Sequence, residues 1–408
     1  MGYAPGVSEA APLEQAIVAV VGAGTMGAGI AQVALEAGWR VRLFDPVAGA
    51  TDRARDRVRD GLGRRASKLE IDADTIDDWV EGRVACLAAS PNLLDTTAGA
   101  SLVIEAALED LEVKRRLFAE LDEAAGPDPI LATNTSALSV AKIAEHTSRP
   151  ERVIGLHFFN PAPVLPLVEV VRAATSAPWA VEQGAGIVES WGKTAIRVAD
   201  SPGFIVNRVN RPFTLEPLRL LRAGAGTVET IDDAVVAAGF PMGPFALMDL
   251  IGIDINLAAA RGLFEAFGRP PRLRPSPIQE ELVAAGLLGR KSGEGFYRYG
   301  EGRRVGPAPR FATGASPSRH ALDPATIAER VTLAIVNEAH RALGEDVASA
   351  DDIDRAMRLG ANHPFGPFEW THRMGLHEVV VMLDALSDED ADTFRPALSL
   401  LRQARSTG

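Results

Sequence analysis

One cysteine, Cys86, occurs among 408 residues. A single thiol excludes an intramolecular disulfide and a thiolate-rich zinc cluster. It fits a reducing compartment, and Cys86 reads as a structural residue near a segment boundary rather than a nucleophile. No run of about 18 consecutive apolar residues is present, so no membrane-spanning helix is expected. Residues 1–15 lack the basic start and apolar run of a secretory signal and are expected to fray. Together these absences point to a cytoplasmic protein without a membrane partner. Basic charge is also short: 42 basic against 54 acidic side chains, a net charge of −12. Such a surface repels a phosphodiester backbone, which argues against nucleic acid as a partner. It leaves room for a small anion held by backbone N–H groups.

The remaining composition, 47 % hydrophobic and 24 % charged, is that of an ordinary globular protein. The length allows two or three domains. Residues 17–22 form an apolar, partly β-branched run that ends in Gly-Ala-Gly-Thr-Met-Gly. A helix former follows over 30–36 and stops at Gly38, and residues 41–44 read as the next strand, with Asp45 at its end. This is the opening of a parallel sheet. Residues 48–82 are helical in pattern, and 110–125 are amphipathic. Strands are expected over 102–105, 130–132, 153–158, 167–171 and 194–198, with helices over 139–145 and 178–190.

After Ser201-Pro202-Gly203 the signal turns helical: 207–221, 230–238 with Thr230 as cap and Gly239 as stop, 250–267 and 278–285. Residues 269–277 are a Pro/Arg-rich loop. The Arg269, Arg272 and Arg274 side chains read as a solvated surface, with attraction for phosphates or a carboxylate of a ligand as the second reading. Residues 300–320 read as a linker. The helical pattern then recurs. Ile231-Asp232, Gly243-Pro244-Phe245 and Gly252 match Ile353-Asp354, Gly366-Pro367-Phe368 and Gly375, while Arg208 and Glu216 match Arg330 and Glu338. Gly-Pro-Phe alone would be weak, but flanking matches at this spacing indicate a duplicated module. The expected division is a 1–15 N-terminal tail, a sheet domain 16–200, a helical copy 201–300, a linker 301–320 and a second copy 321–408.

Gly22, Gly24 and Gly27 make G-x-G-x-x-G between a buried strand and a helix. Gly22 permits the tight turn, Gly24 leaves room for a pyrophosphate, and Gly27 lets helix and strand pack closely. Asp45 is placed to accept from the adenosine ribose hydroxyls, which favours NAD over NADP. Arg40 and Arg42 lie nearby and leave that preference open. Glycines alone could serve only a turn; strand, helix, second strand and terminal acid in sequence carry the dinucleotide reading.

Chemistry-bearing residues gather at later strand ends, where open α/β sheets place their sites. Asn134-Thr135-Ser136 follows one strand, His157 ends another, and Glu169 lies within an apolar run. Oxidising an alcohol needs a base for the hydroxyl proton, and histidine titrates in the right range. Glu169 can orient the imidazole, while Ser136 and Asn207 can donate to the substrate oxygen. That would put the substrate in a cleft between domains. A lone histidine in an apolar run is ordinarily a packed core residue, and sequence alone does not bring His157 and Glu169 into contact.

These residues, with Val21–Ile30 as Val-Gly-Ala-Gly-Thr-Met-Gly-Ala-Gly-Ile, the 104–114 stretch Ile-Glu-Ala-Ala-Leu-Glu-Asp-Leu-Glu-Val-Lys, Thr-Asn-Thr-Ser-Ala at 133–137, Gly-Leu-His-Phe-Phe-Asn-Pro at 155–161, Ser-Pro-Gly-Phe-Ile-Val-Asn-Arg at 201–208, Met-Gly-Pro-Phe at 242–245 and Gly-Arg-Lys-Ser-Gly-Glu-Gly-Phe-Tyr at 289–297, resemble the 3-hydroxyacyl-CoA dehydrogenase family. The resemblance covers about residues 16–300. It implies a Rossmann-like α/β domain followed by duplicated all-helical C-terminal domains, NAD as cofactor, and oxidation of a (3S)-3-hydroxyacyl-CoA to the 3-oxoacyl-CoA. Substrates such as 3-hydroxybutyryl-CoA or 3-hydroxyadipyl-CoA fit, in fatty-acid or phenylacetate breakdown. It implies His157 and Glu169 as the catalytic pair with Ser136 and Asn207. It adds Thr25, Met26, Ala107, Glu109, Lys114 and Asn134 to the cofactor set, and Asn160, Ser67 and Lys68 to the substrate set, with no metal. The second copy departs from the pattern, since Glu329 stands where Asn207 would, and is expected to be structural. The protein is then a homodimer, or a monomer in which the second copy replaces the dimer partner. The competing readings are a dehydrogenase of a free hydroxy acid or carnitine-like substrate, and a non-enzymatic NAD(H)-binding structural or sensor protein.

Overall fold

The computed structural model describes residues 16–312 and 321–406. The expected fraying of 1–15 and part of the 301–320 linker lie outside them. The chain divides into two compact units at Ile196/Arg197.

The first unit is built on an eight-stranded sheet: β1 (Ile17–Val21), β2 (Arg40–Phe44), β3 (Leu87–Ala89), β4 (Leu102–Glu105), β5 (Ile130–Thr133), β6 (Val153–Phe158), β7 (Leu167–Arg172) and β8 (Thr194–Ala199), which runs across the division. The order is β3-β2-β1-β4-β5-β6-β7-β8. Strands from β3 to β6 pair in parallel. Both faces carry helices: α1 (Thr25–Glu36), α2 (Ala50–Lys68), α3 (Ile76–Val84), α4 (Leu93–Thr97), α5 (Leu111–Ala124), α6 (Val140–Ala144) and α7 (Pro178–Ser190). Helices on both faces explain why strands such as β4 and β6 are buried at every position rather than alternating. The chain runs outward through β1, β2 and β3, then returns to place β4 on the other side of β1. The crevice at the C-terminal ends of β1 and β4 is thus the topological switch point, where open sheets bind ligands.

β6 and β7 pair antiparallel, with His157 opposite Glu169. A parallel return needs a crossover of a dozen or more residues, and only 159–166 connect these strands. The Asn160–Pro161 peptide in that connection is cis.

The second unit contains α8 (Val206–Val209), α9 (Arg211–Arg222), α10 (Val228–Ala237), α11 (Pro244–Ile251), α12 (Ile253–Ala266), α13 (Pro277–Ala284), a hairpin of β9 (Tyr297–Gly300) and β10 (Arg303–Pro307), and then α14 (Pro324–Gly344), α15 (Ala350–Gly360), α16 (Pro367–Met374), α17 (Leu376–Ser387), α18 (Ala391–Phe394) and α19 (Leu398–Ser406). The repeat read from the sequence is visible as repeated geometry. Buried Asp232 accepts the N–H groups of Phe245 and Ala246 at 2.8 and 3.0 Å, and Asp354 accepts those of Phe368 and Glu369 at 2.8 and 2.9 Å. Each carboxylate caps the helix after a Gly-Pro-Phe turn. A Cβ on Gly243 or Gly366 would lie within 2.5 Å of the matching aspartate, which is why that position is glycine in both copies.

Ion pairs join the copies reciprocally. Arg208 of the first reaches Glu338 of the second at 2.9 Å, and Arg330 of the second reaches Glu216 of the first at 2.8 Å. The same residue pair meeting from both sides is the signature of a two-fold interface, here within one chain. A buried cluster, including Leu333, Val336, Leu383 and Phe394, forms where α14 meets α17, α18 and α19.

Several expectations are corrected. The 207–221 helix is two helices meeting at Asn210, ahead of Pro212, whose ring removes an N–H. The cap of α10 is Thr227, which accepts from Thr230 N, not Thr230. The 250–267 helix is interrupted at Gly252, whose φ of 106° lies outside the helical region. The first residues of the linker expected over 300–320 belong instead to the hairpin of β9, which ends at Gly300, and β10. β3 and α4 were not foreseen.

Candidate active site

The turn after β1 brings the glycines together as their spacing predicts. Gly22 has φ of 105°, and a Cβ there would sit 2.5 Å from Ala106 O, at the end of β4. A Cβ on Gly27 would fall 1.8 Å from Gly22 O, so the helix lies directly on the turn. Gly24, the N-cap of α1, has nothing within 4 Å of where its Cβ would be. The first N–H groups of α1, beginning at Thr25 and Met26, therefore border open space at a positive helix end, the setting a pyrophosphate requires. Asp45 ends β2 beside the turn. Its carboxylate accepts Ala23 N at 2.8 Å and Val47 N at 2.9 Å, which holds it at the crevice rim. The residues present fit a dinucleotide.

Around the end of β4 a buried network takes over. Glu105 is fully buried and accepts Lys114 Nζ at 2.6 Å, Ala107 N at 2.6 Å and Thr133 Oγ1 at 2.7 Å. Lys114, itself buried, lies 3.5 Å from Glu109 on its other side. Glu109 accepts the Thr135 hydroxyl at 2.7 Å and Ser136 N at 2.9 Å, with Ser136 Oγ 3.1 Å away. Burial pushes the Glu109 carboxyl up, but Lys114, Thr135 and Ser136 outweigh it and hold the carboxyl below the usual range. Asn134 Oδ1 accepts Phe158 N at 2.8 Å, tying the end of β5 to that of β6. Ser136 can donate its hydroxyl to a substrate only by exchanging the bond to Glu109.

His157 Nδ1 lies 2.7 Å from Glu169 Oε2; the ring is 6 % exposed and Glu169 fully buried. The contact follows from the antiparallel register, since directly opposed residues on one sheet face are neighbours. Phe159 packs on the imidazole, ring centroids 4.4 Å apart. A carboxylate fixed on Nδ1 places the proton there and leaves Nε2 with its lone pair, the form a general base needs.

Along the same unit a groove of about 460 Å³ is lined by Thr25, Asn160 and Lys68, with Arg57, Arg64 and Arg65 on α2. Ser67 does not line it; its hydroxyl donates to Gly63 O within its own helix. Asn207 lies in the second unit, on α8, and is half-buried. Its counterpart Glu329 is on α14, where burial, Asp323 and Glu378 push its carboxyl up. Sequence reasoning missed Glu105 as a site residue. Its signal was an acid closing a four-residue apolar strand, which must find partners when buried.

A glycine turn opening onto a helix end at a sheet's switch point, and a histidine–carboxylate pair across the antiparallel strands β6 and β7 of the same sheet, define a nicotinamide-dinucleotide-dependent oxidoreductase. The profile described as "3-hydroxyacyl-CoA dehydrogenase, NAD binding domain" matches residues 17–201, and that described as "3-hydroxyacyl-CoA dehydrogenase, C-terminal domain" matches 203–299 and again 327–408. The chain belongs to the 3-hydroxyacyl-CoA dehydrogenase family, with tandem helical C-terminal domains and NAD as its cofactor. The 3-hydroxyadipyl-CoA dehydrogenase of Escherichia coli (strain K12) is 38 % identical over 95 % of this chain and 96 % of that protein. The 3-hydroxybutyryl-CoA dehydrogenase of Mycobacterium tuberculosis is 42 % identical over 69 % of this chain and 98 % of its own. A crystal structure of 3-hydroxybutyryl-CoA dehydrogenase from Escherichia coli K12 superposes with a TM-score of 0.86 at 35 % identity, covering 96 % of this chain and 98 % of that one.

The cytoplasmic location expected from the sequence is corrected. The mouse, rat, human and pig relatives, 38–39 % identical over 69 % of this chain, are named as mitochondrial proteins. A lone reduced cysteine fits any reducing compartment, so Cys86 never distinguished between them. Among the described residues no helix is long and apolar enough to cross a membrane.

Proposed function

We propose that the chain oxidises the 3-hydroxyl of a (3S)-3-hydroxyacyl-CoA to the 3-oxoacyl-CoA, reversibly, with His157 as general base. The observation that carries this reading is the 2.7 Å contact between His157 Nδ1 and buried Glu169. Glu169 fixes the ring's tautomer, so Nε2 takes the hydroxyl proton, and its negative charge stabilises the imidazolium that results. Ser136 and Asn207 donate to the substrate oxygen as it becomes a carbonyl. Bound NAD would supply the two-electron acceptor for the hydride of the carbinol carbon. In the reverse direction the imidazolium returns its proton.

Gly22, Gly24, Thr25, Met26 and Gly27 would cradle the pyrophosphate, and Asp45 would accept from the adenosine ribose. Ala107, Glu109, Lys114 and Asn134 would face the nicotinamide side. Asn160 and Lys68 contact the coenzyme A portion; the basic face of α2 beside Lys68 suits its phosphates. Ser67, bonded to its own helix, supports that role least. Domain limits of 16–200, 201–300 and 321–408 accompany this reading. The second helical copy covers the surface a dimer partner would take, making the protein a monomer. NADH production with 3-hydroxybutyryl-CoA and with free 3-hydroxybutyrate tests the activity. Turnover of the thioester is expected, and turnover of the free acid alone would refute it.

A further inference from the structure

Three arginines of the described residues are buried: Arg152, Arg208 and Arg211. The first two have carboxylates, Arg152 with Asp122 at 2.6 Å and Arg208 with Glu338 at 2.9 Å and Glu345 at 2.7 Å. Arg211 has none. The sole hydrogen bond of its guanidinium is a long one, from Nη1 to Asn256 Oδ1 at 3.5 Å, and Nε has no partner. Around it stand neutral polar groups. Gln279 donates to the same Asn256 oxygen at 2.8 Å, and its own Oε1 is buried without a partner. A guanidinium taken out of water without an anion is costly. Burial pulls its pKa down to about 10, so it remains charged at neutral pH. A fold that keeps this charge unpaired is prepared for an anion from outside the chain.

Position narrows the identity of that anion. Arg211 opens α9, and Asn207 lies on α8; Asn210 between them stays helical in φ and ψ, at −80° and −7°. Residues four apart on a helix share a face about one turn, or 5.4 Å, apart along the axis. If Asn207 donates to the 3-hydroxyl oxygen, a group a few carbons further along the acyl chain spans a comparable distance. A planar guanidinium with free N–H donors matches a carboxylate, to which it can give two parallel hydrogen bonds.

We propose that Arg211 binds the distal carboxylate of an acyl chain, making this enzyme selective for 3-hydroxyacyl-CoA substrates whose acyl end carries a carboxylate. The inference rests on the proposed oxidation of 3-hydroxyacyl-CoA and specifies its substrate class. Asn256 steadies one edge of the guanidinium, leaving the remaining donors for the ligand. A methyl-ended chain would bury the same site with its charge still unpaired. Sites built around a polar group discriminate far more strongly against analogues lacking it than apolar pockets do.

The test compares kcat/KM for two thioesters of equal length, 3-hydroxyadipyl-CoA and 3-hydroxyhexanoyl-CoA, with the ω-methyl ester of the first as a third substrate. All carry coenzyme A, so contacts to its phosphates cancel. The wild-type enzyme is expected to prefer the ω-carboxylate by about 100-fold or more over both neutral chains. Arg211→Met is expected to shrink that ratio by at least about 30-fold, mainly by raising KM for the diacid, and Arg211→Lys to keep part of it. Equal losses on all substrates in Arg211→Met would show a structural or phosphate-binding residue and overturn the proposal. A wild-type enzyme that oxidises the ω-carboxylate and neutral chains equally well would overturn it whether or not the variants fold. Failure of wild type to oxidise any of the thioesters would instead refute the underlying dehydrogenase assignment.

Discussion

Replacing Glu338 with alanine probes the internal two-fold most sharply. Glu338 is 1 % exposed and accepts Arg208 Nε at 2.9 Å, Arg272 Nε at 2.9 Å and Arg341 Nη1 at 3.3 Å. Burial pushes its carboxyl up, but the three guanidinium groups outweigh that and hold it below the usual range. Truncation leaves the fully buried Arg208 with Glu345, half exposed, as its one carboxylate beside a long contact to Ser201 Oγ at 3.5 Å, and Arg208 Nη2 already lacks a partner. Removing one member of a buried pair costs about 3–5 kcal/mol; the surviving Glu345 contact puts the expectation near the lower end. At roughly 2–4 °C per kcal/mol for a unit of this size, the helical unit's Tm should fall by about 6–12 °C. Calorimetry with circular dichroism on the full chain reads this out. Glu345→Ala is the control, expected to cost about 1 kcal/mol or less because its carboxylate is solvated. A Glu338→Ala shift under about 2 °C, or one matched by Glu345→Ala, would refute the argument. The pH sign follows. A carboxyl held low stabilises the fold above its unfolded pKa, and this contribution fades as pH falls through the folded value.

Other outcomes are expected. Buried His340 and His363 are pushed down to about 4 by desolvation, so the fold holds them neutral. Their contribution is complete above pH about 6.5 and is lost as pH falls toward 4, at about 1.4 kcal/mol per pH unit for each. Urea titrations from pH 7 to 4.5 should show a shallower slope for His340→Gln, and an unchanged slope would contradict this. Gly27→Ala forces a Cβ onto Gly22 O and should destabilise the first unit by about 3 kcal/mol or more and abolish NADH binding, read by fluorescence titration; retained affinity would mean the turn is not the cofactor cradle. Size exclusion with light scattering should give a monomer. A firm dimer through the first helical module would refute the replacement of the partner by the second copy.

Much of this was legible because its signals are local. The glycine turn, Asp45 and the buried strands of the first unit need only short windows, and the repeat announces itself through Asp232, Asp354 and the Gly-Pro-Phe turns. Elements misread had weak or contrary local signals. β3 is three residues long, and only its pairing with β2 makes it a strand. The break at Gly252 lies inside an otherwise continuous apolar pattern, and the short β9–β10 hairpin interleaves its Tyr and Val with Arg and Gly. The His157–Glu169 contact depends on an antiparallel register that a parallel-sheet reading does not supply. The reciprocal pairing of Arg208 with Glu338 and Arg330 with Glu216 depends on how α14 packs against α8 and α9. Arg211 gave no signal, because an arginine at a helix start is ordinary until its surroundings show that no acid meets it.

Steady-state NADH formation by wild type and His157→Gln with 3-hydroxybutyryl-CoA, with NADH affinity measured on both, is the most direct test of the catalytic assignment. Turnover should drop about 100-fold or more while NADH affinity holds. Near wild-type turnover in the variant would contradict it.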